Sequence, residues 1–153
     1  MTDILHRVGI KATVAEVLAA VSTAKGIAGW LTANTTDASK PNAKVNAVFQ
    51  TPEGKEMGKI GFEISKNNPQ RVVWHFTSGP EQWVGTDVTF DLTQEGDYAI
   101  IIFGHRKWRE PVPVEFFAHS SMKWAIFLMS LKKLIETGKG EASPYDVRVG
   151  NWS

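Results

Sequence analysis

The stretch FFAHSSMKWAIFLMSLKKLIE, residues 116–136, decides the fold of this chain. Its large apolar side chains recur at the three- and four-residue spacing of one helix face: Trp124, Phe127, Leu128, Leu131 and Ile135. Neither Gly nor Pro interrupts the stretch, and Gly138 follows at a position where helices commonly end. The sequence therefore predicts a C-terminal helix over about residues 116–137 and a tail over about 141–153. An apolar face of this length requires cover from another part of the chain.

Composition is that of an ordinary globular protein, with 42% hydrophobic and 22% charged residues. A length of 153 residues predicts a single domain, residues 1–153, with one substantial core. The net charge of +1, without a basic stripe, argues against a nucleic-acid partner. No apolar run reaches the roughly 18 residues of a membrane span, and no apolar stretch at the N-terminus is long enough for a signal peptide. The absence of cysteine fits a reducing compartment, so we expect a cytoplasmic location.

The rest of the chain supplies a sheet to cover the helix. A strand over Ile4–Lys11 precedes two helices, the first capped by Thr13 with Glu16 in a capping box. A polar loop is predicted over Asn34–Asn42, and from Lys44 apolar residues alternate with polar ones in about five strands separated by turns. The order β-α-α-β(5-6)-α predicts an α+β protein in which a curved antiparallel sheet wraps around the C-terminal helix.

Five short motifs carry a family resemblance over nearly the whole chain. They are Gly29-Trp30-Leu31-Thr32, Pro69-Gln70-Arg71-Val72-Val73-Trp74, Val88-Thr89-Phe90-Asp91-Leu92, Phe103-Gly104-His105-Arg106-Lys107-Trp108, and the run from Leu131 to Gly140 with Pro144 and Tyr145 beyond it. In this order they resemble the helix-grip fold of the SRPBCC, START or Bet v 1-like superfamily. Within it the chain is similar to the AHSA branch, named for homology to an activator of heat-shock-protein ATPase.

This resemblance implies a seven-stranded sheet that grips the C-terminal helix with a cavity between them. It implies no shared chemistry, because the superfamily includes lipid carriers, cyclases and proteins of unknown role. The eukaryotic activators also have a separate domain that contacts the chaperone, and the present sequence has no room for one. The resemblance therefore leaves a chaperone contact as an alternative to ligand binding.

His105 is the one candidate for acid–base chemistry. It ends a predicted strand on the same face as Ile101 and Phe103, where an imidazole would orient a ligand or transfer a proton. The alternative, which we favour, is a histidine held by a neighbouring carbonyl at the end of the strand. No catalytic residue is therefore assigned.

The tryptophans suggest either a bulky core or an aromatic pocket wall, and the sequence does not decide between these two interpretations. If the cavity is open, we expect eight residues to line it: Trp30, Trp74, Phe90, Phe103, His105, Trp108, Trp124 and Leu128.

Other polar residues form no recognisable site. His75 is expected on the outer face of the sheet, His6 and His119 have no supporting pattern, and the acidic residues Asp87, Asp91, Glu95 and Asp97 are expected to be solvated. No pair of histidines or acids has metal-ligand spacing, and no glycine motif binds phosphate, so neither a metal nor a cofactor is predicted. Ser120 and Ser121 lack the nucleophile elbow of a hydrolase.

A second apolar group lies on the helix face opposite Trp124, formed by Met122, Ile126 and Met129. These side chains are expected either to pack against neighbouring loops or to form a homodimer contact or the mouth of the cavity.

Three hypotheses of function follow. The first is binding of a small hydrophobic ligand (a lipid, a polyketide or an aromatic metabolite) between the sheet and the C-terminal helix. The alternatives are a cyclase- or dehydratase-type enzyme that uses His105, and a co-chaperone-like protein-interaction module. We favour binding without catalysis.

Overall fold

The structure is a computed structural model that describes residues 2–39 and 44–153. Its elements in chain order are β1 (Ile4–Ile10), α1 (Val14–Val21), α2 (Ala24–Ala28), β2 (Asn34–Ser39), β3 (Lys44–Gln50), β4 (Glu56–Asn68), β5 (Arg71–Ser78), β6 (Asp87–Glu95), β7 (Tyr98–Arg106) and α3 (Val114–Thr137). The predicted α+β order, one strand, two helices, a series of strands and one long helix, is confirmed.

The seven strands form one antiparallel sheet in the order β1-β7-β6-β5-β4-β3-β2. Strand β1 forms the sheet edge opposite β2 and pairs with β7, so that Ile4 lies opposite His105. Register shifts interrupt the ladders between β3 and β4 and between β4 and β5. Such bulges bend strands locally and increase their twist, which gives the sheet the curvature needed to wrap around α3.

The long helix lies on the concave face and buries the predicted apolar stripe, including Trp124, Phe127, Leu128 and Leu131. It begins at Val114, two residues before the predicted start. It ends at Thr137 as predicted, because Gly138 adopts the left-handed conformation (φ 89°) and donates its N–H to the Leu134 carbonyl over 2.8 Å. In the part of the chain that the structure describes, no helix is long and apolar enough to cross a membrane.

The polar loop predicted over Asn34–Asn42 is wrong for residues 34–39, which form strand β2. Among the described residues this strand lies at the edge of the sheet beside β3, and its polar sequence NTTDAS lacks the alternation of a half-buried strand. Residues 40–42 of that predicted loop lie outside the described residues.

One of the strands predicted from alternation spans Trp83–Leu92 in the sequence, but strand β6 begins only at Asp87. Before it, the backbone folds into a turn in which the N–H groups of Trp83 and Val84 donate to the Pro80 carbonyl over 2.9 and 3.2 Å. Trp83 therefore does not follow the alternation of β6, and its side chain turns to the inside of the fold, where it stacks on Trp124 with ring centres 5.5 Å apart.

Candidate functional site

The eight residues predicted to line a cavity are all buried: Trp30, Trp74, Phe90, Phe103, His105, Trp108, Trp124 and Leu128. Their rings pack directly on one another, with centres 5.0 Å apart for Trp74 and Phe90 and 4.9 Å apart for Phe103 and Trp124. These contacts fill the space under the middle of α3. The structure therefore places the eight residues together in the core.

The buried tryptophans also satisfy their indole N–H groups inside the protein. Trp30 donates to the Ala20 carbonyl and Trp74 to the Val21 carbonyl, each over 2.8 Å. Trp108 donates to the carbonyl of His105 over 2.9 Å. No indole N–H of these three rings is therefore left for a ligand. Of the two interpretations of the tryptophans, core filling is the one that fits these three.

His105 is fully buried, and both of its ring nitrogens are bonded. Nδ1 accepts the indole N–H of Trp124 over 3.0 Å. Nε2 therefore carries the proton and donates it to the Thr86 hydroxyl over 2.7 Å, and that hydroxyl donates to the Trp83 carbonyl over 2.5 Å. Burial lowers the pKa of His105 to about 3, against a smaller opposing effect of Asp87, so the ring is neutral. Two side chains, those of Trp124 and Thr86, therefore hold the His105 ring in place of the neighbouring carbonyl that the sequence predicted.

A cavity of about 690 Å³ lies beside this core, between the β3–β4 side of the sheet, α3 and the C-terminal tail (residues 141–153). None of the eight predicted residues borders it. Its apolar wall is formed by Phe49, Met57, Gly58, Ile60, Pro80, Trp83, Phe116, Phe127 and Trp152. Its polar border is formed by Lys59, Ser78, His119, Ser120, Lys123, Ser143, Asp146 and Ser153. This volume lies within the range of small-molecule sites in proteins.

The tail reaches the cavity because Ser143 is fixed to the segment after α2. Ser143 and Thr32 form a short parallel bridge, with the Ser143 N–H on the Leu31 carbonyl (3.0 Å) and the Ala33 N–H on the Ser143 carbonyl (3.1 Å). Close approach of the chain before this bridge requires a glycine, because a Cβ on Gly140 would lie 2.6 Å from the Gly29 carbonyl oxygen. Two of the motifs that carry the family resemblance therefore meet here.

An ion pair joins the tail to α3 at the edge of the cavity. Nζ of Lys123 lies 2.5 Å from Oδ2 of Asp146 and also donates to the Val147 carbonyl over 3.0 Å. The two charged side chains are only 11% and 10% exposed. Breaking such a buried pair by removing one partner typically costs about 3–5 kcal/mol, because the other charge is left uncompensated.

His119 belongs to the same cavity, although no sequence pattern supported it. Its Nε2 lies 2.8 Å from the Ser153 hydroxyl, and the Trp152 ring packs edge-on against it with centres 5.1 Å apart. Burial and, secondarily, the charge of Lys123 lower the pKa of His119. The end of the tail thus forms a roof over this side of the cavity.

Two polar atoms at the cavity residues have no hydrogen-bond partner among the described residues. They are the indole Nε1–H of Trp83 and the hydroxyl of Ser143, and both atoms are buried from solvent. Buried polar atoms without a partner are uncommon in native proteins.

The prediction that Asp87 is solvated is wrong. Its carboxylate is largely buried between Nδ1 of His75 (2.7 Å) and Nζ of Lys107 (2.8 Å) on the outer side of the sheet. Burial alone would raise the pKa of Asp87, but the hydrogen bonds from Lys107 and His75 outweigh it and lower the pKa. This group is an ion-pair cluster remote from the cavity wall. Within the described residues, no three His, Asp or Glu side chains are grouped as metal ligands.

The sequence did contain a signal for the cavity side of α3. Phe116, Ser120, Lys123 and Phe127 recur at three- and four-residue spacing, one step around the helix from the core stripe. Lys123 and Ser120 are buried in this row. A lysine and a serine within an otherwise apolar helical row indicate a face that borders something other than close-packed core.

Known structures with the same architecture cover most of this chain. The Aha1 dimer from Colwellia psychrerythraea is 33% identical over 92% of this chain and 100% of its own, with a TM-score of 0.74. DynU16, a protein from the dynemicin biosynthetic locus, is 21% identical over 90% of this chain and 48% of its own, with a TM-score of 0.69. A START superfamily protein from Mycobacterium smegmatis is 12% identical over 84% of this chain and 92% of its own, with a TM-score of 0.65.

The last two likenesses concern the fold alone, and the chain spans about half the length of DynU16. No protein-family model matches the sequence, and no curated protein does so. The Aha1 relative is different, because one third of the aligned residues are identical along its full length. This chain belongs to the AHSA branch of the SRPBCC/START superfamily of helix-grip proteins.

Proposed function

We propose that this chain acts as a single domain that binds a small hydrophobic molecule in the cavity between the sheet, α3 and the C-terminal tail. The observation that carries the proposal is an apolar-walled space of about 690 Å³ beside a core that is otherwise tightly filled. An apolar cleft of this volume is typical of small-molecule sites, so it favours a bound molecule.

The cavity wall has the composition of a small-molecule site. Phe127 on α3 packs near Phe49 on β3 with ring centres 5.9 Å apart, and Trp83 and the tail residue Trp152 also line the cavity. Aromatic rings supply most of the contact area in such sites, and a few polar groups orient the ligand. Lipids, polyketides and aromatic metabolites are the proposed classes, and the cytoplasm is the proposed location on the ground of the cysteine-free sequence.

The proposal is tested with N-phenyl-1-naphthylamine, a neutral apolar dye whose fluorescence rises in an apolar site. Gly58 borders the cavity on β4, and a Cβ at this position meets no atom within 4 Å, so Gly58→Phe directs a ring into the cavity without a backbone clash. Lys66→Phe places the same ring at an exposed position of the same strand. We expect the wild type and Lys66→Phe to bind the dye and Gly58→Phe to lose binding. Equal binding by all three proteins would contradict the proposal.

Catalysis through His105 is not part of the proposed function. Both nitrogens of its ring are bonded to Trp124 and Thr86, and the ring does not border the cavity. A general acid or base must reach the proton that it transfers, directly or through one water. The cyclase or dehydratase alternative therefore has no observation in its favour.

We further propose that two copies of the chain associate through the outer face of α3. Met122 and Met129 are 54% and 52% exposed, so packing against neighbouring loops does not account for them. Ile126 and Val147 continue this surface around a shallow depression. The 33% identical relative is a dimer, which supports a second copy as the partner.

Light scattering at increasing protein concentration tests the dimer. Met129→Glu places a charge in the middle of the surface, and Val114→Glu places the same charge at an 85% exposed position at the start of the same helix. We expect the wild type and Val114→Glu to have the mass of a dimer and Met129→Glu that of a monomer. A wild type that stays monomeric, or a Met129→Glu variant that stays dimeric, would contradict this surface.

A further inference from the structure

The ion pair between Lys123 and Asp146 occupies a place that suits a ligand better than a purely structural contact. It connects α3 to the tail, two elements that the Glu141 N–H on the Ser130 hydroxyl also joins, over 2.8 Å. Both side chains border the cavity, and both are about nine-tenths buried. Keeping a lysine in such a position is costly without a negative partner.

The ammonium group of Lys123 has a donor to spare in the described structure. An ammonium group has three N–H donors, and Nζ of Lys123 has two acceptors in the described structure, Asp146 and the Val147 carbonyl. A cavity border with a lysine donor to spare is complementary to a ligand that brings acceptor oxygens.

The charged residues on the cavity border also favour a ligand with acceptor oxygens. The cavity border has two lysines, Lys59 and Lys123, and one acidic residue, Asp146. Asp146 belongs to the tail, whose last residues Trp152 and Ser153 roof the cavity, whereas Lys123 belongs to the long helix. Withdrawal of the Asp146 carboxylate from this place leaves an uncompensated cation beside an apolar cavity.

We propose that Lys123 is the anchor for the carboxylate of an apolar acid, and that the carboxylate of Asp146 occupies the same place when no ligand is bound. The ligand carboxylate exchanges with that of Asp146, so the tail competes with the ligand for Lys123. This inference rests on the proposed function, since it assigns the ligand class of the same cavity. It distinguishes apolar acids from the neutral lipids and aromatic molecules that the apolar wall alone would accept.

The test measures displacement of N-phenyl-1-naphthylamine by dodecanoate and by 1-dodecanol at neutral pH. The two competitors share one hydrocarbon chain and differ in the carboxylate, which is ionised under these conditions. Three proteins are compared: the wild type, Asp146→Asn, and the double variant Lys123→Met/Asp146→Asn. The double variant removes both charges together, so neither is left buried alone.

We expect Asp146→Asn to bind dodecanoate about tenfold tighter than the wild type. The Asp146 carboxylate no longer competes for Lys123, while the Lys123 ammonium still donates to the dodecanoate carboxylate. The double variant should lose this gain, while 1-dodecanol should displace the dye equally from all three proteins. Equal displacement by dodecanoate from all three proteins would overturn the inference while the proposed function stands. A dye that binds none of the three would instead overturn the proposed function.

Circular dichroism and the neutral dye together report whether each variant is folded. Asp146→Gln is a second substitution that removes the charge, and it should reproduce the gain of Asp146→Asn. A gain for 1-dodecanol as large as that for dodecanoate would show that the tail only blocks entry, and it would overturn the role of Lys123 as an anion anchor.

Discussion

Trp124 of α3 donates its indole N–H to Nδ1 of His105 on β7 over 3.0 Å, inside the core. The bond fastens the centre of the long helix to the sheet and fixes which nitrogen of His105 carries the proton. Nε2 of His105 donates to the Thr86 hydroxyl, and that hydroxyl donates to the Trp83 carbonyl. The same Trp83 borders the cavity, so this buried chain also holds one wall of the candidate site in place.

Replacement of the donor in this bond should destabilise the protein. Trp124→Phe keeps an aromatic ring but leaves Nδ1 of His105 buried without a partner. The unsatisfied nitrogen alone should lower the free energy of unfolding by about 1–3 kcal/mol. Trp152→Phe at a 46% exposed position is the control and should change it by less than about 0.5 kcal/mol. Urea denaturation measures both variants, and equal losses would mean that the His105 bond contributes little.

The buried neutral state of His105 predicts a dependence of stability on pH. Its folded pKa of about 3 lies below the value of about 6.5 in an unfolded chain. Below about pH 6.5 the unfolded chain takes up a proton that the folded protein does not. The stabilisation is therefore complete above about pH 6.5 and is lost as the pH falls toward 3, at a limiting slope of about 1.4 kcal/mol per pH unit.

The variant His105→Gln isolates this contribution, because an amide does not titrate in this range. Between about pH 6.5 and pH 4.5 the wild type should lose roughly 2 kcal/mol more of its unfolding free energy than the variant does. Asp87 has a lowered pKa and contributes its own loss mainly at lower pH, and it does so in both proteins. Parallel curves for the two proteins would show that His105 is not the titrating group.

The roof formed by the tail predicts a change in the titration of His119. The pKa of His119 is lowered first by burial and then by Lys123, and the Trp152 ring packs against the imidazole. Trp152→Ala removes this ring and admits water, so the pKa of His119 should rise toward its ordinary value of about 6.5. Trp152→Phe keeps a ring in place and should leave it low. An NMR titration of the His119 ring protons reads the midpoint, and no change with alanine would mean that the tail does not cover this residue.

The central elements of the fold follow directly from apolar periodicity. The stripe through Trp124, Phe127 and Leu128 predicts α3, and the alternation from Lys44 onward predicts the strands that cover it. Strand β2 cannot be predicted in this way, because an edge strand with polar residues on both faces has no apolar periodicity. Its place in the sheet is set by pairing with β3.

The candidate site is less accessible from sequence because tertiary contacts create it. Trp83 borders the cavity only because the backbone turns at Pro80 instead of continuing strand β6. The tail has no periodicity, and a single bridge between Ser143 and Thr32 sets its course toward Lys123. The prediction selected the largest apolar side chains, and those are the residues that close packing draws into the core.

The position of the binding site is tested most directly by the indole N–H signals of the tryptophans in ¹⁵N-labelled protein. Added N-phenyl-1-naphthylamine should shift the signals of Trp83 and Trp152, which border the cavity. The signals of Trp30 and Trp74 should stay in place, since their N–H groups are bonded to carbonyls in the filled core. Shifts confined to Trp30 and Trp74, or no shift of Trp83 at saturating dye, would contradict the cavity as the site.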